Sequence, residues 1–99
     1  MKVRFLPAAA VELDEAISHY NGLAPGLGGA LALEVRQGLT RIAEFPDAWH
    51  KLGPRVRRYR LKRFPYGIVY AALPFEIAVV AFMNLRRKPS YWKKRLKQV

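Results

Sequence analysis

Three cations stand at alternate positions in VRRYRLKRF, residues 56–64: Arg58, Arg60 and Lys62. Alternate residues of an extended chain share a face, so the three form a row with about 6.6 Å between neighbours. A second group lies near the end of the chain. NLRRKPSYWKKRL, residues 84–96, sets Arg86, Arg87, Lys88, Lys93, Lys94 and Arg95 around Tyr91 and Trp92. Cations at this density repel one another and add nothing to a core, so their chemistry is that of an anionic partner. A phosphodiester suits such a row. In metal-free RNA cleavage the 2′-hydroxyl attacks the adjacent phosphorus. The site must activate that hydroxyl, neutralise the charge that develops and protonate the leaving oxygen. Fixed cations do the second task, and the lysine of the row is the candidate base. A solvated strand face is the alternative, slightly favoured by the row alone. The second cluster shifts the balance to a phosphate-binding face.

The remaining polar residues offer less. His19 and His50 are too far apart in sequence and too isolated to suggest a metal site, and the chain has no cysteine. Neither disulfides nor thiolate metal ligands are available to it. Glu12 and Glu15 fall on one predicted helix and read as a solvated acidic face. No glycine-rich phosphate loop, Ser/His/Asp set or cysteine nucleophile is present. No metal and no cofactor are expected.

The charge is segregated along the chain. Residues 1–54 carry five cations and six acids, whereas residues 55–99 carry thirteen cations and one acid, Glu76. The whole is +11. Such a one-sided field attracts polyanions at a cost in self-repulsion, so a polyanionic partner is the better reading than a merely basic, soluble protein. With 99 residues, 52% of them hydrophobic, one domain with one core is expected over residues 1–99. No apolar run reaches the ~20 residues that span a bilayer. A soluble, cytoplasmic protein is expected, with no membrane partner.

The elements that must position these cations follow from periodicity. Val3–Leu6 reads as a strand closed by Pro7. Val11, Leu13, Ala16, Ile17 and Tyr20 recur at helical spacing over residues 8–23. Asn21-Gly22 and Pro25-Gly26 punctuate the chain. Leu31, Val35, Leu39, Ile42 and Phe45 form one stripe of a second helix over residues 27–45. The short connection predicts an antiparallel helix hairpin. Residues 46–54 read as a loop, and 56–64, 65–73 and 76–83 as an antiparallel meander. Arg57, Tyr59 and Leu61 should face the core. Ser90 is placed to cap a short terminal helix, Tyr91–Lys97, docked by Trp92. The order β-α-α-β-β-β-α predicts an α+β fold. One sheet face should pack on the hairpin and the other should stay open and basic.

That order, with FLPAAAVELDEAISHY (5–20), RRYRLKRFPYGIVY (57–70) and NLRRKPSYWKKR (84–95), resembles the RelE/ParE superfamily, the toxins of bacterial type II toxin–antitoxin modules often labelled plasmid stabilisation proteins. The resemblance covers nearly the whole chain. It implies a cognate antitoxin, expected to be acidic, that wraps the toxin. It implies one of two targets. RelE-like members cleave mRNA in the ribosomal A site, and ParE-like members poison DNA gyrase with no known nuclease chemistry. Ribosome-dependent cleavage is the leading expectation, gyrase inhibition the first alternative and a non-toxic nucleic-acid-binding relative the second. On the RelE pattern Arg60, Lys62, Arg86, Arg87 and Tyr91 would be catalytic, with Tyr91 stacking on a base or assisting proton transfer. Arg58, Lys88, Lys93, Lys94 and Arg95 would bind the nucleic acid. Two positions depart from that pattern. Asn84 stands where many relatives carry His, and Gly67 where ribosome-dependent members carry Arg.

Overall fold

The computed structural model describes residues 1–99. Its elements are β1 (Lys2–Phe5), α1 (Pro7–Leu23), α2 (Leu27–Glu44), β2 (His50–Lys51), β3 (Arg57–Arg60), β4 (Tyr66–Ala72), β5 (Glu76–Asn84) and a terminal 3-10 helix (Lys93–Gln98). The fold is α+β, as expected.

Pro7 opens α1, where its fixed φ suits the first turn and its missing N–H is not needed. Gly26 takes a left-handed φ of 81° before α2, which costs glycine little. The hairpin is tightest at Gly28. Its N–H donates to Asn21 Oδ1 at 2.8 Å, and a Cβ there would stand 2.5 Å from the Ile17 carbonyl oxygen.

The sheet has the order β1-β5-β4-β3-β2. β1 runs parallel to β5, and the other neighbours are antiparallel. The two-residue β2 was not expected in the 46–54 loop, and pairs with Arg57 and Arg58. One face of the sheet packs under the helices. Leu31, Val35 and Ile42 of α2 and Ala9 and Ala16 of α1 meet Tyr59, Ile68, Tyr70, Ile77, Val79 and Phe82. Tyr59 also accepts a hydrogen bond from Arg41 at 2.8 Å and meets the Trp49 ring edge-on.

Two expectations about the cations change here. β3 ends at Arg60, so Lys62 leaves the row. Glu34 of α2 accepts the backbone N–H groups of Lys62 and Arg63, and Pro65 has no N–H for a ladder. The chain therefore turns, with Leu61 N–H donating to the Tyr66 carbonyl at 3.0 Å.

The second sheet face is also less open than expected. Leu6, Val56, Val69, Val80, Ala81 and Met83 form a smaller core covered by Trp92, with Leu96 and Val99 beside it. Val69 pairs with Ala81 and Tyr70 with Val79, so Val80 is the extra residue of a β-bulge. The terminal helix is 3-10 and not α, and Ser90 does not cap it. Four cations crowd its six residues, Lys93 and Lys97 at a repulsive i,i+4 spacing.

Candidate functional site

The C-terminal arm is fastened by one carboxylate from α1. β1 follows β5 as far as Val79, where the Leu6 N–H makes the last bond, 2.9 Å to the Val79 carbonyl. Beyond that point the outer edge of β5 needs other partners. Glu12 and Arg95 supply them. Glu12 Oε1 accepts the Phe82 N–H at 3.1 Å, and Arg95 Nη1 donates to the Val80 carbonyl at 3.1 Å. The two side chains also pair with each other, Nη1 to Oε1 at 2.8 Å and Nη2 to Oε2 at 3.0 Å, a bidentate arrangement. Tyr91 Oη donates to Glu12 Oε2 at 2.8 Å. The Arg87 guanidinium lies 4.0 Å from the centre of the Tyr91 ring and 4.0 Å from Glu12 Oε2.

Glu12 is therefore not part of a solvated acidic face; its side chain is 16% exposed and that of Arg95 is 19%. Glu15 is exposed, as expected. Burial pushes the Tyr91 hydroxyl well above the usual tyrosine range, and the Glu12 carboxylate raises it further, against the pull of Arg95 and Arg87. Tyr91 thus keeps its proton and donates it in a hydrogen bond to Glu12. Arg95, expected to bind the nucleic acid, is instead held inside this network.

A second set of cations lies at the end of the sheet. Arg60, Lys62, Arg63 and Arg86 line an open groove with Leu61, Phe64, Pro65 and Leu85. All four are exposed and none has an acidic partner. Two short backbone turns hold them. One is pinned by Glu34 at Lys62 and Arg63. In the other, Asn84 Oδ1 accepts the Arg86 N–H at 3.0 Å and the Asn84 carbonyl accepts the Arg87 N–H at 3.0 Å. Asn84 so directs Arg86 and Arg87 apart. Arg86 joins the groove; Arg87 lines a separate cleft with Glu12, Tyr66 and Tyr91.

Arg58 occupies a third place. Its Cγ and Cδ stand 2.9 Å from where a Cβ on Gly67 would be, with Leu85 next in line at 3.5 Å. Gly67 thus makes room for the Arg58 stem across the second sheet face, and the buried Arg58 Nε has no partner. Lys88, Lys93 and Lys94 are exposed; Lys93 borders an apolar hollow with Leu52, Pro54 and Trp92. Of the ten singled-out residues, the groove gathers Arg60, Lys62 and Arg86, and the Glu12 network gathers Arg87, Tyr91 and Arg95. Arg63 was missed, although it stands directly after the row. Glu12 was also missed, because its partners lie 70 to 83 residues away and leave no local signal.

Residues 3–89 match the family model described as ParE toxin of type II toxin-antitoxin system, parDE. A solved structure from P. aeruginosa, described as a chromosomal ParDE toxin–antitoxin system, has a similar fold. The TM-score is 0.67 at 18% identity, over 87% of this chain and 97% of that one. No curated protein matches the chain.

Proposed function

The chain belongs to the ParE family and is the toxin of a type II toxin–antitoxin module, and from that premise we propose that it acts by binding DNA gyrase, with no catalysis of its own. Gyrase is what the resemblance to ParE-like toxins implies. The observation that carries the reading is the fate of the groups a ribonuclease would need. Tyr91 holds its proton in a hydrogen bond to Glu12, Arg87 and Arg95 lie against the same carboxylate, and Asn84 closes a turn where a proton-transferring His would stand. General acid–base catalysis requires a group free to exchange a proton at the reacting atom. Lys62 is the one candidate base in the groove, and no acid faces it there. The cognate antitoxin silences the toxin by covering it.

Induction of the toxin without its antitoxin is the test. Gyrase-linked chromosome breaks, with mRNA 5′ ends unchanged, are expected. New mRNA 5′ ends produced by the purified toxin on translating ribosomes, with gyrase unaffected, would overturn the proposal in favour of cleavage.

A further inference from the structure

We propose that the groove between the β3–β4 turn and the end of β5 is a binding site for the phosphate backbone of duplex DNA. Arg60, Lys62, Arg63 and Arg86 make up half of its lining, and no acid is among the rest. Several cations elsewhere in the fold have a job within it. Arg4 pairs with Glu76, Arg95 with Glu12, Arg41 donates to Tyr59 and Arg57 to the Trp49 carbonyl. The groove cations have no acidic or hydrogen-bonding side-chain partner, and only Arg63 has an internal contact, 5.6 Å over the Phe64 ring. Their backbones are nevertheless fixed, by Glu34 on one side and by the Asn84 turn on the other. Four cations held close by rigid turns are unfavourable unless an anion with several charges lies among them. Repeating phosphates are such an anion.

Duplex is favoured over single-stranded RNA by what the groove lacks. Single strands are gripped by aromatic rings on which bases stack. Phe64 is the one aromatic residue of the lining and is 6% exposed. Tyr91, the ring expected to stack, belongs to the Glu12 network instead. No Asn or Gln lines the groove to read base edges, so the contacts are to backbone and independent of sequence. The choice of DNA over duplex RNA rests on the gyrase reading, since the toxin would then meet its target where DNA is already held.

The experiment uses the full chain and a labelled DNA duplex of about 20 base pairs, titrated between about 50 and 200 mM salt. Four phosphate contacts predict that log Kd rises with log salt with a slope of about 3 to 4. Arg60→Gln with Arg86→Gln should lower that slope by about 2 and weaken binding at least about tenfold at the lowest salt. Lys2→Gln with Arg36→Gln removes the same charge from exposed positions elsewhere and should leave the slope unchanged. Equal losses in both double variants would show a diffuse net-charge effect and overturn the site. Tighter binding to a single strand of the same length, or to duplex RNA, would overturn the assignment to duplex DNA. Binding of the same variants to DNA-free gyrase, measured separately, distinguishes the two proposals. Retained gyrase binding without a duplex salt slope sinks the groove alone, and a groove-dependent slope without gyrase binding sinks the target alone.

Discussion

At the scale of single residues, Glu12 joins more of the chain than any other side chain described. One carboxylate holds a strand edge, a tyrosine and an arginine, and these come from α1, β5 and the C-terminal arm. Glu12→Ala should lower stability by about 2–4 kcal/mol in urea unfolding, because it leaves Arg95 largely buried without its counter-charge. Tyr91→Phe removes one hydrogen bond and keeps the ring against Arg87, so about 1 kcal/mol is expected. A similar cost for both would show that the Glu12–Arg95 pair contributes little. Tyr70 gives a pH prediction. Its hydroxyl donates to the Pro46 carbonyl. Burial is the main cause that pushes it up to about 12, with Asp47 raising it and Arg57 opposing. The unfolded chain releases this proton near pH 10 while the folded chain keeps it to about 12. The stability this provides is complete below about pH 10 and falls as pH rises through that window. Unfolding measured from about pH 9 to about pH 12 should show a shallower alkaline loss in Tyr70→Phe than in the parent chain.

At the scale of elements, the sequence and the structure part where a long-range contact decides. Both helices, the strands β1, β3, β4 and β5 and the buried docking role of Trp92 were legible, because each rests on local periodicity or on a ring with nowhere polar to go. The end of β3 was not legible. The alternation in 56–64 continues to Lys62, but Glu34, nearly thirty residues earlier, takes the N–H groups that would have extended the ladder. The same holds for the split of Arg86 from Arg87, which the Asn84 turn decides. Two glycines show how element contacts set the cost of a change. At Gly28 a Cβ would meet backbone, the Ile17 carbonyl oxygen at 2.5 Å, so Gly28→Ala should spread the helix hairpin and cost about 1–3 kcal/mol. At Gly67 the only tight contact would be with the flexible Arg58 stem, with Leu85 at an ordinary 3.5 Å. Gly67→Ala should therefore cost less than Gly28→Ala and mainly re-aim Arg58. Thermal unfolding of the two variants checks the order, and a larger loss for Gly67→Ala would mean that the Arg58 stem is more rigidly held than its geometry implies.

At the scale of the whole molecule, most of the charge and most of the exposed apolar side chains lie on different parts, with Phe75 at the β4–β5 turn an exception. The thirteen cations of residues 55–99 belong to the sheet side and the C-terminal arm. The helix hairpin and its flanks carry exposed Val11, Leu23, Leu33 and Phe45, each more than half exposed. We expect an antitoxin that covers this toxin to meet both surfaces. The cationic part sets how fast an acidic partner arrives, and that contribution is screened by salt. The apolar part is not weakened by salt, since burial of apolar area does not depend on ionic strength in that way. We expect an acidic antitoxin that docks partly on the hairpin, so a high-salt wash of the immobilised complex should leave it assembled. Leu33→Glu with Val11→Glu should release the antitoxin without unfolding the toxin, because both side chains project from exposed positions. Association in high salt should be slower while dissociation changes little. Complete dissociation by salt alone would mean that the partner is held through the cations only, and the hairpin would then have no part in silencing the toxin.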